Sequence, residues 1–213
     1  MGRTPDPISF PDPPRADDLD YPRAGNRFDS PTENFGVCYF ASDLKACFGE
    51  TLSRFRPNPA LAAAAEEDDF MQVGEVPADW RNQRIAVQAT FVPTETLPQI
   101  RFLDVEALAT RRHLEHELAP LLAYYGYTEL DVPTVRGGDR RITRWIGKWA
   151  FEQRDARGVP SFAGIRYLSR LNTEWECWAV FHDVETKELS RQPIEREHPD
   201  LTAIARSFGI RVF

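Results

Sequence analysis

Arg27, Tyr39 and Glu50 stand on three successive local structures between Asn26 and Phe55: a polar turn, a short apolar strand and an amphipathic helix. Residues close in the chain but on different elements can converge on one pocket, which a single helix face cannot arrange. The planar fork of Arg27 suits a phosphate or carboxylate held by two parallel bonds. Its plainer reading is a surface arginine paired with Asp29 or Glu33. Tyr39 brings a hydroxyl into an apolar strand, where it needs a partner: either backbone, or a flat ring that it stacks on and donates to. Glu50 lies about 60° from Cys47 around the helix, at the margin of the apolar face. A carboxylate there is partly desolvated and suits acid, base or electrostatic work, whereas a solvated flank residue does nothing.

Ser169 closes the run Gly164-Ile165-Arg166-Tyr167-Leu168, with Arg170 and Asn172 just beyond. Polar residues at strand ends line sites, and they also form turns. Other patterns carry less. His113 and His116, with Glu115 and Glu117, sit mainly opposite a leucine stripe and read as a solvated helical face; no metal site is expected. Gly137-Gly138, followed by Asp139-Arg140-Arg141, reads as a turn, since a phosphate loop needs Gly-Lys-Ser/Thr. No nucleophile elbow is present, and His182 reads as structural or exposed.

The elements that must position these residues follow from periodicity. Gly36–Ala41 reads as a strand, and Ser42 as the N-cap of a helix whose Leu44, Cys47, Phe48, Thr51, Leu52 and Phe55 share one face. Arg56-Pro57 ends that helix, and a further short helix is expected over Ala60–Glu67. Strands follow at Arg84–Val92 and Ile100–Val105. One helix carries Leu114, Leu118, Leu121, Leu122 and Tyr125 and closes at Gly126. Another carries Ile142, Trp145, Ile146 and Trp149 and ends near Gly158. Strands at Gly164–Leu168 and Trp175–Phe181 come next, the second apolar on both faces and so central. A helix over Leu201–Phe208 and a packed strand at Ile210–Phe213 finish the chain. The alternation is not that of regular β-α-β units, so the class is α+β with a mixed sheet flanked by helices.

With 213 residues, 42% hydrophobic and 12% aromatic, the chain has enough apolar material for one core and a single domain. Residues 1–24 hold six prolines and read as an extended or irregular arm, leaving 25–213 as the domain proper. Net charge is −7, which argues against a nucleic-acid partner and means that an anionic ligand requires a local group of arginines. Cys38, Cys47 and Cys177 show no paired spacing and suit a reducing cytoplasm. Neither a leader pattern nor a membrane span is read from the sequence. Self-association is left open.

In combination these residues resemble the RES domain family. The matching segments are Asn26-Arg27-Phe28, Val37-Cys38-Tyr39, Cys47-Phe48-Gly49-Glu50-Thr51 and Ile165-Arg166-Tyr167-Leu168-Ser169. Asn26 and Phe28 stand where the family typically has glycine and tryptophan. The resemblance implies an ADP-ribosyltransferase-like fold that consumes NAD⁺ as a substrate, with no cofactor. It also implies a toxin neutralised by a helix-turn-helix antitoxin. Under that resemblance Glu50 acts on the nicotinamide ribose, Arg27 holds the pyrophosphate, Tyr39 orients nicotinamide, and Ser169 bonds the ribose or carboxamide, with Asn172 a further candidate. Water or phosphate is the expected acceptor. The alternatives are mono-ADP-ribosylation of a protein and a non-enzymatic interaction module.

Overall fold

The computed structural model describes residues 1–4, 6–11, 20–58 and 74–213. The helix expected over Ala60–Glu67 lies outside these residues, as does much of the Pro-rich stretch. In chain order the elements are β1 (Gly2–Arg3), β2 (Val37–Ala41), α1 (Leu44–Leu52, continued by a 3-10 turn Ser53–Phe55), β3 (Arg84–Val92) and β4 (Phe102–Asp104). Then come α2 (Leu108–Glu117), α3 (Ala119–Tyr125), α4 (Val132–Arg136), α5 (Arg141–Glu152), β5 (Gly164–Leu168), β6 (Glu176–Phe181), β7 (Glu185–Pro193) and α6 (Pro199–Phe208). The class is α+β.

The chain groups into two compact units. The first comprises Met1–Ile8, Ala41–Ala89 and Glu188–Phe213. Here α1 packs on α6: Phe48 and Leu52 are buried with Leu201 and Ile204, and the Phe48 ring meets His198 edge-on at 5.5 Å. Asp43, rather than Ser42, caps α1, its carboxylate accepting from the Ala46 N–H at 2.7 Å. The start of the Pro-rich stretch is extended. β1 pairs antiparallel with β3, Gly2 opposite Ile85 and Arg3 opposite Arg84. At the other end of the chain, Ile210–Phe213 makes an isolated bridge between Arg211 and Glu75 instead of a strand.

The second unit comprises Ser9–Phe40 and Thr90–Lys187. Its sheet runs β2-β6-β5-β4, with β5 and β6 antiparallel and β4 and β5 parallel, so it is mixed and β6 is internal. α5 covers β5 with Ile142, Ile146 and Ala150, all fully buried, and Phe35, Phe151 and Phe181 form an aromatic triangle. The single helix expected around Leu114–Tyr125 is two, broken at Leu118. Pro120, in the first turn of α3, supplies no N–H to continue α2. Gly126 closes α3 in the left-handed region, at φ 78°.

Candidate functional site

Arg27 sits in a turn that is bonded from both sides. The Asp29 carboxylate accepts from the Asn26 N–H at 2.6 Å and from the Tyr39 hydroxyl at 2.9 Å, and that hydroxyl accepts from the Phe28 N–H at 3.0 Å. Burial, then the negative charge of Asp29, raises the Tyr39 phenol well above its ordinary range, so it keeps its proton. Phe28 is fully buried, its ring 5.1 Å from that of Tyr167 on β5. Its backbone rests against α5 where a side chain at Gly147 would meet the Phe28 carbonyl at 2.6 Å. Glycine at 147 is therefore what lets the arginine turn lie on the helix.

From this turn the Arg27 guanidinium reaches the end of α4. Its Nη1 donates to the carbonyls of Val135 at 2.6 Å and Gly137 at 3.1 Å, the kind of terminal acceptor a helix leaves unpaired. Asp131 starts that short helix by accepting from the Thr134 N–H at 2.8 Å, with Pro133 in its first turn. Gly137 ends it where a Cβ would lie 2.6 Å from the Pro133 carbonyl.

Arg23, Arg27, Gly137, Gly138, Arg140 and Arg170 line a cleft of about 130 Å³. Among the described residues that line it, four of six are cationic and none is acidic, in a chain of net charge −7. Arg140 is anchored through Nη1 to the carbonyls of Arg23 and Gly25, and its N–H donates to the Pro22 carbonyl at 2.6 Å. The buried Arg144 holds the same segment by donating to the Ala24 carbonyl at 2.7 Å. Among the described residues, no side chain pairs with Arg23 or Arg170. The volume suits a phosphate or diphosphate group and is well below the roughly 300 Å³ at which small-molecule pockets begin. Beside the cleft, burial pushes the Asp139 carboxyl up. Bonds from the Arg141 guanidinium and N–H outweigh this and hold it below its ordinary value.

The remaining expected residues divide. Ser169 is buried, and its hydroxyl accepts from the Leu171 N–H at 3.0 Å, next to Arg170 of the cleft. Asn172 accepts from the Glu174 N–H at 3.0 Å and so shapes the β5–β6 turn. Glu50 belongs to the first unit and is exposed on α1, not partly desolvated: Ala46, Phe48, Gly49 and Leu52 form the buried face. Arg23 and Arg140 are additions to the expected residues, and the Gly137-Gly138 turn is itself part of the cleft wall. His113 and His116 are exposed on α2, as read from the leucine stripe.

A larger hollow of about 700 Å³ lies against α2 and α3, and three of its polar side chains serve the fold. Glu115 accepts from the Leu130 N–H, Asp131 caps α4, and Arg111 donates to the carbonyls of Val105 and Glu106. The arginine cleft is thus the better candidate on chemistry despite its smaller size.

An α+β scaffold with an arginine-lined cleft is the class of protein these features define. The family model for the RES domain matches residues 7–203 of the 213, and the chain belongs to that family, which is associated with NAD⁺-related toxin function. No curated protein and no solved structure matches the chain. Among the described residues no helix is long and apolar enough to cross a membrane.

Proposed function

We propose that the protein consumes NAD⁺ by breaking the bond between nicotinamide and ribose, with water or phosphate as acceptor. The observation that carries this reading is the arginine cleft. It concentrates positive charge where a dinucleotide diphosphate needs it, in a chain whose overall field repels anions. Membership of the RES family supports the choice of dinucleotide.

In the proposed reaction the electron pair of the C1′–N bond passes to the pyridinium nitrogen, and neutral nicotinamide leaves. Oxocarbenium character develops on the ribose. A new C1′–O bond forms to the acceptor, whose proton goes to solvent. No strong acid is required, only an anion that stabilises the cationic ribose, and the family resemblance of Cys47-Phe48-Gly49-Glu50-Thr51 is what assigns that role to Glu50. Arg27, with Arg23, Arg140 and Arg170 around it, holds the diphosphate. Tyr39 contributes by its ring, because its one proton is committed to Asp29. Ser169 is assigned to the ribose or carboxamide, and Asn172 to the turn beside it. An ADP-ribosyltransferase-like fold, a toxin role in the cytoplasm and a helix-turn-helix antitoxin as partner belong to the same proposal.

The test is NAD⁺ loss and nicotinamide release by the intact protein, with and without phosphate, beside Glu50→Ala and Arg27→Ala. Turnover that disappears in Glu50→Ala and shows a raised KM in Arg27→Ala is the expected result. Undiminished turnover in folded Glu50→Ala removes the assignment of Glu50. A parent protein that turns over no NAD⁺ and labels no protein removes the enzymatic reading.

A further inference from the structure

Glu106 lies outside every motif discussed so far, in the link between β4 and α2, with a side chain only 9% exposed. Both of its carboxylate oxygens accept from Arg136: Nε reaches them at 3.1 and 3.1 Å, and Nη2 reaches Oε2 at 2.6 Å. Oε1 also accepts from the Leu168 N–H at 2.9 Å. Arg136 is the last residue of α4, immediately before Gly137-Gly138. Leu168 is the last residue of β5, two residues before Arg170. One carboxylate therefore ties together the backbones that lead into two walls of the cleft.

The third wall is coupled to the same point. Arg27 Nη1 bonds the carbonyls of Val135 and Gly137, the residues on either side of Arg136. Glu106 is itself held from behind: its N–H donates to Asp104 Oδ1 at 3.0 Å, and Arg111 Nη1 donates to its carbonyl. Asp104 in turn pairs with Arg166 on β5 at 3.1 Å.

We infer that Glu106 is a positioning residue for the anion cleft, setting the separation of the Gly137-Gly138 wall from the Arg170 wall through Arg136 and the Leu168 N–H. It touches no ligand itself. Its effect is on where Arg27 and Arg170 stand, and an ångström of misplacement there weakens a bidentate phosphate contact. The inference rests on the proposed use of the cleft to hold a diphosphate.

The experiment uses the intact chain and inorganic pyrophosphate as the probe, with binding measured calorimetrically beside thermal unfolding and NAD⁺ kinetics. Glu106→Gln keeps an oxygen for the Leu168 N–H but sets an amide against the Arg136 guanidinium. Arg136→Gln breaks the pair from the other side and stands in should a Glu106 variant fail to fold. Each is expected to weaken pyrophosphate binding by about tenfold and to raise KM for NAD⁺ by the same factor, with kcat nearly unchanged. The double variant should be no worse than either single change, because the two act as one unit. Glu188→Ala, which removes an exposed pair with Arg191 on β7, serves as the control and should leave binding unaltered.

Folded variants whose pyrophosphate affinity stays within twofold of the parent, whatever their melting temperature, would make the pair purely structural and overturn the inference. A parent that binds pyrophosphate in a Glu106-dependent way but turns over no NAD⁺ upholds the inference and removes the proposed reaction. A parent that binds no pyrophosphate removes both the cleft and the role of Glu106.

Discussion

The hydroxyl of Tyr39 donates to the Asp29 carboxylate at 2.9 Å, and through this contact β2 fixes the turn that carries Arg27. The same oxygen accepts from the Phe28 N–H, so its loss strands a buried donor and one bond of a buried carboxylate at once. Tyr39→Phe should cost about 1–3 kcal/mol of stability, measurable by denaturant unfolding. Because the phenol is raised in the folded state, the neutral form is the one the fold prefers. Its contribution is complete below the ordinary value of 10.0 and is lost as pH rises through the folded value. The parent's advantage over Tyr39→Phe should therefore be constant at neutral pH and shrink only above about pH 10.

Gly147 tests the same turn from the opposite side. A methyl group there would meet the Phe28 carbonyl at 2.6 Å, and that carbonyl is backbone, which cannot swing away like a side-chain tip. Gly147→Ala gains helix propensity in α5, worth up to about 1 kcal/mol. Overpacking should win, with a net loss of about 1–3 kcal/mol and weaker anion binding as Arg27 is displaced. A variant as stable as the parent, binding pyrophosphate equally well, would show that the turn does not depend on this close approach.

The strands and helices with strong periodicity were legible: β2, β3, β5, β6, α1, α5 and α6 lie close to where apolar spacing put them. β7 was not, because Glu185–Pro193 is almost wholly exposed and shows no alternation to read. The break at Leu118 was missed because the leucine stripe runs through it while the single cause, Pro120, lies between its members. Of the candidate cleft, Arg27 was legible from its turn, and Arg170 only as the neighbour of Ser169 at the strand end. Arg23 and Arg140 were not, for they meet only after Tyr21–Ala24 is pinned to α5 by Arg140 and Arg144. Such a cluster, from segments more than a hundred residues apart, leaves no local spacing signal.

Asp139 gives an acid-side prediction. Its carboxyl titrates below the ordinary value of 3.8, because bonds from Arg141 outweigh the effect of burial. A depressed carboxyl stabilises the fold at all pH values above its ordinary one, and that stabilisation is lost as pH falls through the folded value. Asp139→Asn should therefore lower the melting temperature at neutral pH, with parent and variant converging below about pH 4. A gap that persists at pH 2 would assign the effect to packing instead of charge.

The cleft arginines should separate charge from shape. Arg170 is exposed, so Arg170→Ala should alter stability by no more than about 0.5 kcal/mol. Its guanidinium nevertheless faces a cleft with three further arginines, and removing it should weaken pyrophosphate binding about three- to tenfold at low salt. Because the group is exposed, that difference should narrow as ionic strength rises past 0.15 M, where screening acts over about 8 Å. Arg170→Lys restores the charge without the fork, so binding should recover in part at low salt and little at high salt. Full recovery by lysine would mean that the cleft senses charge alone. Equal affinity in all three proteins would mean that the anion is held by Arg23, Arg27 and Arg140 without it.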